Sequence, residues 1–345
     1  MKISQLLPNL YVHQYLFQFE CRQELVLPRY YIPLLRDSLK HHVFEAYSLL
    51  NTPRSRQLFS IFRQPERALT EFTHSLAINK NHPILSYLSG KVTPPWWFSY
   101  ANNPTKTIYH KGDTFYIIFN ICGYLNQAWQ EPQFLSTLQQ WAKSGIGIPS
   151  ASFHLAEINE IHPNGQPHLI AQHKMTDLPA MPINITAYTD KAPTYRLQVQ
   201  LLSPTLTEKF SHSHTFTTLA EKILARALRL QLLYCAGDTL WAEMQNNKWH
   251  SLYYINENTP LLPGAENIET QQLQLAYNNF QHLSPAPHNV KPKYITVEGY
   301  TGNLTYTTPN SNLLMQYMPL LKIGELLHIG EQIGYGCGQI KCNAI

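Results

Sequence analysis

The stretch Gly324-Glu-Leu-Leu-His328-Ile-Gly330-Glu-Gln-Ile-Gly334-Tyr-Gly336-Cys-Gly338-Gln-Ile340, close to the C-terminus, decides how the chain is read. Four of its 15 glycines (Gly330, Gly334, Gly336, Gly338) fall within nine residues. An apolar helical pattern precedes them (Leu313, Leu314, Tyr317, Met318, Leu321), and a short alternating run, Gln339-Ile340-Lys341-Cys342, follows. The order is helix, glycine turn, strand. Glycine serves where the backbone needs positive φ or must lie close to a ligand, and alternate glycines can aim successive N–H groups at one point, an anion-binding nest. No Lys-Ser/Thr follows to make a P-loop, and the run leads into a strand, whereas a dinucleotide fingerprint opens a helix. Two readings stay open: a phosphate nest, or a tight helix-to-strand turn.

The same order appears earlier in the chain. Tyr15, Phe17, Phe19 and Cys21 alternate with polar residues, which predicts a strand from Tyr11 to Cys21. A helix is expected from about Leu34 to Leu50, striped by Leu35, Leu39, Val43, Ala46 and Leu50. Asp113–Gly123 reads as a buried strand and Pro132–Lys143 as a helix; the glycine turn Gly145-Ile-Gly147 and a strand from Ser152 to Ile158 follow. With one more strand between Leu85 and Tyr109, this is the β-α-β-β-α-β order of a ferredoxin-like unit. Pro94-Pro95-Trp96-Trp97-Phe98 is an aromatic cluster that either plugs a core or stacks bases.

Pro163–Pro182 reads as a long hairpin or an interdomain connection. The order then restarts: a strand at Tyr195–Leu202, a helix at Phe216–Cys235 flanked by Arg226 and Arg229, and an inserted helix at Ile268–Gln281. A hairpin at Tyr294–Tyr306 with Gly299 and Gly302 at a bulge precedes the final helix, turn and strand. The fold expected is α+β: two tandem ferredoxin-like domains, residues 1–185 and 186–345, the second closing on the glycine-rich loop.

Composition bounds the function more loosely. A length of 345 residues suits two domains with ample cores. The net charge of +4 permits an acidic partner without announcing one, since nucleic-acid binders need only a local basic surface. Five cysteines without a CxxC pair indicate neither a zinc site nor a disulfide framework, and free core thiols suit a reducing compartment. The N-terminus lacks the apolar core of a signal peptide and nowhere do 18 apolar residues run together, so a cytoplasmic protein without a membrane span is expected. His212-Ser-His214 is read as a helix-entry loop rather than a metal pair, and no metal or cofactor is expected.

With those residues assembled, the chain resembles the CRISPR precursor-RNA processing endoribonucleases, the sixth Cas family of the RAMP superfamily. The glycine-rich run, together with Gly299-Tyr-Thr-Gly302 and Leu320-Leu-Lys-Ile-Gly-Glu-Leu-Leu-His328, looks like that family's C-terminal signature. Leu35-Arg36-Asp-Ser-Leu39-Lys-His41 looks like its first-helix pattern, although Asp37 and Lys40 replace residues that are usually small. Phe119-Asn-Ile-Cys-Gly123 and Leu201-Leu-Ser-Pro204 resemble further passages of its two domains.

The resemblance implies metal-independent cleavage of repeat RNA: a 2′-hydroxyl attacks the adjacent phosphorus, leaving a 2′,3′-cyclic phosphate and a 5′-hydroxyl. That chemistry needs a base, an acid and positive donors around the transition state, and histidine serves best because its pKa lies near working pH. In the family the acid/base histidine commonly lies on or near the first helix, which singles out His41, with His42 as neighbour and possible substitute. Lys40 and Arg36 are then candidates for phosphate stabilisation, and Tyr30 or Tyr31 for orienting the sugar. The glycine turn (Gly330, Gly334, Gly336, Gly338), with Lys322, Lys341 and His328, would hold the RNA backbone, His328 chiefly by supporting the turn. A mildly basic cleft between the domains is the RNA site expected. Partners implied are CRISPR repeat RNA and other Cas proteins of an effector or adaptation complex. The alternative is a non-catalytic RAMP subunit that binds guide RNA inside an effector complex.

Overall fold

The computed structural model describes residues 7, 10–47, 53–75, 94–101, 106–145, 153–161, 167–169, 194–206, 214–235, 263–283 and 294–345. The first domain runs β1 (Val12–Cys21), β2 (Leu25–Val26), α1 (Ile32–Tyr47), α2 (Pro53–Arg63), α3 (Glu66–Ser75), β3 (Trp96–Tyr100), β4 (Ile108–Tyr109), β5 (Thr114–Cys122), α4 (Pro132–Ser144), β6 (Phe153–Ile161) and β7 (Pro167–Leu169). In β1 the odd residues from His13 to Cys21 are buried, because a strand turns alternate side chains to one face. Phe17, Phe19, Phe98, Phe119 and Trp141 meet there under the helices. Antiparallel pairing gives the order β3-β5-β1-β6-β7. Without the added β7, the four main strands lie second, third, first, fourth across the sheet. That is the arrangement a β-α-β-β-α-β chain makes when two crossing helices cover one face.

The second domain repeats it with β8 (Arg196–Thr205), α5 (Phe216–Leu230), β9 (Glu269–Leu283), β10 (Tyr294–Thr307), α6 (Ser311–Leu327) and β11 (Ile340–Ala344), in the order β11-β8-β10-β9. Two tandem ferredoxin-like domains are present, as the sequence suggested. The expected boundary near residue 185 lies outside the described residues, as do Gly147, His212 and most of Pro163–Pro182. Among the described residues no helix is long and apolar enough to cross a membrane.

The inserted helix expected over Ile268–Gln281 is instead strand β9, paired with β10 from Glu269 to Leu283. Its glutamines and leucines favour helix locally. Leu273, Leu275 and Tyr277, however, lie two apart, and among the described residues no other segment supplies the second strand of the domain; tertiary pairing overrides propensity. Tyr294–Tyr306 is correspondingly not a hairpin but one continuous strand whose hairpin partner is β9. Its glycines do mark an irregularity: the register against β8 shifts between Tyr300 and Gly302. A Cβ on Gly299 would come 2.6 Å from the Thr205 backbone. The Trp96-Trp97-Phe98 cluster is the buried strand β3, with the Trp96 indole donating to the Phe62 carbonyl at 3.0 Å. It is core, and its rings are not available to bases.

Candidate active site

The glycine turn settles onto helix α1. After α6, His328 (φ 62°), Gly330 (φ 86°), Gln332 (φ 54°), Gly336 (φ 76°) and Gly338 (φ 75°) all take left-handed conformations, folding the chain tightly back toward β11. A Cβ on Gly336 would meet the Ile32 side chain at 2.7 Å, and one on Gly334 would meet the Arg36 Nε at 2.8 Å. The glycines are therefore needed because the turn lies flat on the face of α1 that carries Ile32 and Arg36.

Three amides of the turn are bonded within the protein. The N–H of Gly336 donates to the Ile333 carbonyl (2.8 Å), that of Gly338 to Pro204 (3.0 Å), and that of Glu331 to Leu206 (2.7 Å). The nest expected from Gly336 and Gly338 is not formed, since both amides are already bonded within the domain. Arg36 is likewise less a phosphate arm than a clip. Its guanidinium lies 4.6 Å from the Tyr335 ring centre, 5.7 Å from that of Trp96 and 3.4 Å from the Asp37 carboxylate, and its side chain is 13% exposed.

His328 is wholly buried, so it cannot touch RNA in this structure. Its Nδ1 lies 3.1 Å from the Cys337 carbonyl, which can only accept, so Nδ1 carries the proton. Its Nε2 then accepts from the Ser99 hydroxyl at 2.8 Å, and Ser99 in turn accepts from the Asn120 amide at 2.8 Å. Burial, and next the charge of Arg226, push the imidazole down to about 3, so it is neutral at working pH. The supporting role suggested by its place beside the turn is the one its geometry permits. Lys322 bonds Glu325 (2.8 Å) and the Cys342 carbonyl (3.0 Å), and Lys341 is exposed on the edge strand β11.

Helix α1 holds the other candidates. Residues four apart share a helix face, so Lys40 follows Arg36 and His41 follows Asp37. Lys40, His41 and His42 are all partly exposed. His42 Nε2 lies 2.8 Å from the Ser144 hydroxyl, whose own proton goes to the Trp141 carbonyl. His42 must therefore donate through Nε2, which leaves Nδ1 as the basic nitrogen of the neutral ring. The His41 and His42 rings meet edge-on, 5.9 Å between centres. Tyr31 does not join them. It is 4% exposed, packed against Tyr100 and Phe115, and burial raises its phenol far above the ordinary value. It is a core residue, not a sugar-orienting one.

Side chains bridge the two domains where their described residues meet. The Gln339 side chain pairs with the Tyr100 backbone like an added strand residue, accepting from its N–H at 3.0 Å and donating to its carbonyl at 2.9 Å. Arg226, buried, donates through Nε to the Leu327 carbonyl at 2.6 Å and lies 4.9 Å from the Trp97 ring centre. Burial lowers its guanidinium to about 9. Ser99, Asn120 and Gln339 gave no signal in the sequence; Arg226 was visible only as a charge flanking the apolar stripe of its helix.

Two docked ferredoxin-like domains, with a glycine turn clipped onto a histidine-bearing first helix, frame the site. Residues 199–340 match the family model of the CRISPR-associated endoribonuclease Cas6, and residues 7–183 match a model described as an N-terminal domain. The C-terminal part of the chain is therefore similar to the Cas6 endoribonuclease family. No curated protein sequence matches it. Similar solved structures include a partial Cas6-RT-Cas1–Cas2 complex (TM-score 0.49, 12% identity, covering 99% of this chain and 47% of that one). A Cas6 product complex (0.44, 12%, 96% and 99%) and a Thermus thermophilus Cas6 (0.41, 10%, 97% and 99%) are similar as well. The chain thus spans about half of the first of these and nearly all of the other two.

Proposed function

We propose that this protein cuts CRISPR repeat RNA in the precursor transcript without a metal ion, releasing guide RNAs. The observation that carries the reading is the ridge Arg36–Lys40–His41 on α1, which leads from beneath the glycine turn to the partly exposed histidine pair. His41 takes the proton from the 2′-hydroxyl or gives one to the departing 5′-oxygen, and His42, anchored on Ser144, holds its neighbour's ring or substitutes for it. The 2′-oxygen bonds to phosphorus as the bond to the 5′-oxygen breaks, giving a 2′,3′-cyclic phosphate and a 5′-hydroxyl. Lys40 supplies positive charge where the phosphorane charge develops. Arg36 supports the site from below rather than gripping phosphate.

Repeat RNA is the substrate and other Cas proteins are the partners on this reading. It draws on the match of residues 199–340 to the family model of the CRISPR-associated endoribonuclease Cas6. The test is cleavage of a repeat RNA in EDTA by the wild type, His41→Ala and His42→Ala. A metal-free cut ending in a cyclic phosphate, slowed at least about 100-fold by one substitution, is the expected result. Wild-type binding without cutting would make the protein a non-catalytic RAMP subunit. Cutting untouched by either substitution would remove the histidines from the mechanism.

A further inference from the structure

Two thiols meet at one of the places where the domains touch, and the proposed RNA chemistry uses neither. Cys122 ends β5, and Cys235 ends the wide helical turn Gln231–Cys235 that continues α5. Their sulfurs lie 3.6 Å apart, and each is also close to the Tyr11 carbonyl, at 3.6 and 3.7 Å. The backbones are in contact beside them. Gly123 (φ 65°) lies so near the Tyr234 carbonyl that a Cβ there would come within 1.8 Å of the oxygen. Sulfurs at van der Waals distance on adjoining backbones need only small side-chain rotations to reach disulfide bonding distance. The other cysteines lie elsewhere: Cys21 at the end of β1, Cys337 in the glycine turn and Cys342 in β11.

We propose that Cys122 and Cys235 are an oxidation site that closes a reversible disulfide between the two domains. The two sulfurs differ in the way such a sequence requires. Cys235 is partly exposed and reaches the oxidant, whereas Cys122 is fully buried with its thiol held protonated, and the charge of Arg226 favours its thiolate when the proton leaves. With hydrogen peroxide as oxidant, the Cys235 thiolate attacks one oxygen; the S–O bond forms, the O–O bond breaks and hydroxide departs. The Cys122 sulfur then attacks the Cys235 sulfur; the S–S bond forms, the S–O bond breaks and a second hydroxide departs. The two thiol protons convert both hydroxides to water. Two cysteines lose two electrons, and one peroxide gains them.

The bond joins residues 113 apart in sequence and fixes the end of β5 to the end of α5. It locks the docked arrangement on which the bridged interface depends, and it does so whether or not the chain cuts RNA. The experiment is a peroxide titration of the full chain, with free thiols alkylated under denaturing conditions and peptides mapped by mass. The expected result is one linked pair, Cys122 with Cys235, two alkylatable thiols fewer, and full reversal by dithiothreitol. The oxidised protein should also unfold on the order of 5 °C higher than the reduced one. Cys235→Ser and Cys122→Ala should each abolish the linked peptide; if either fails to fold, the wild-type map decides alone. Five thiols still alkylatable, Cys235 sulfinic acid without a linked peptide, or links scattered over the other cysteines would overturn the proposal.

Discussion

Replacing His328 by asparagine should change how stability depends on pH, not only how large it is. His328 and an asparagine in its place face the same positive φ of 62°, so backbone strain is shared by the two proteins. The asparagine amide nitrogen stands near the place of Nδ1, so the bond to the Cys337 carbonyl can survive while the one from Ser99 is lost. Leaving the Ser99 hydroxyl without its acceptor costs about 1–3 kcal/mol near pH 7.5. The native imidazole titrates at about 3, against 6.5 for the free side chain, because burial and Arg226 disfavour its charge. Between those values the unfolded chain binds a proton that the native chain does not, so stability rises with pH. His328's contribution is complete above about 6.5 and is lost as pH falls toward 3, at up to roughly 1.4 kcal/mol per unit. From pH 6.5 to 4.5 the wild type should lose up to about 2.7 kcal/mol that the variant keeps. Guanidinium unfolding of both proteins at pH 7.5, 6.5, 5.5 and 4.5 measures the difference. The wild-type advantage should shrink or vanish on acidification. A gap that stays constant across this range would refute the buried neutral imidazole.

Gly338→Ala would place a Cβ 1.8 Å from the Ile329 carbonyl at φ 75°, so the turn must be rebuilt at a cost of about 3 kcal/mol or more; a variant that melts like the wild type would contradict the packing described. Arg36→Ala removes the clip between Tyr335 and Trp96 and should destabilise by about 1–2 kcal/mol. Because Arg36 acts here through position, Arg36→Ala should lower the rate of RNA cutting more than RNA affinity; lost affinity with an unchanged rate would return Arg36 to the phosphate-binding role.

Much of this fold was legible because the core is built from local rhythms. The alternation in β1 and the stripes of α1, α4 and α5 are visible over ten residues or more, and the order of the elements then selects the topology. Segment β9 was not legible. Thr270–Leu283 carries no Asp, Glu, Lys or Arg, and exposed glutamines with spaced leucines suit a helix as well as an edge strand; only the ladder to β10 decides between them. Helical phase alone puts His41 on the open face of α1 but His42 only at the margin of its apolar stripe, whereas both are partly exposed. The glycine turn shows the opposite limit. A run of glycines announces that something comes close, but not whether an anion, a side chain or another backbone does.

Here what comes close is the first domain. Ile32 and Arg36 occupy the space that Cβ atoms would need, and His328 and Gln339 carry the turn's hydrogen bonds across to Ser99 and Tyr100. The helix that bears His41 and His42 is thus held from outside its own domain. The consequence for the site follows from the connectivity. A substitution in the turn moves Arg36, Arg36 is one helical turn from Lys40, and Lys40 adjoins His41. Loss of cutting in a turn variant would therefore not show that the turn touches RNA. Only a variant that keeps the clip, and changes a side chain on the open surface of α1, separates chemistry from support.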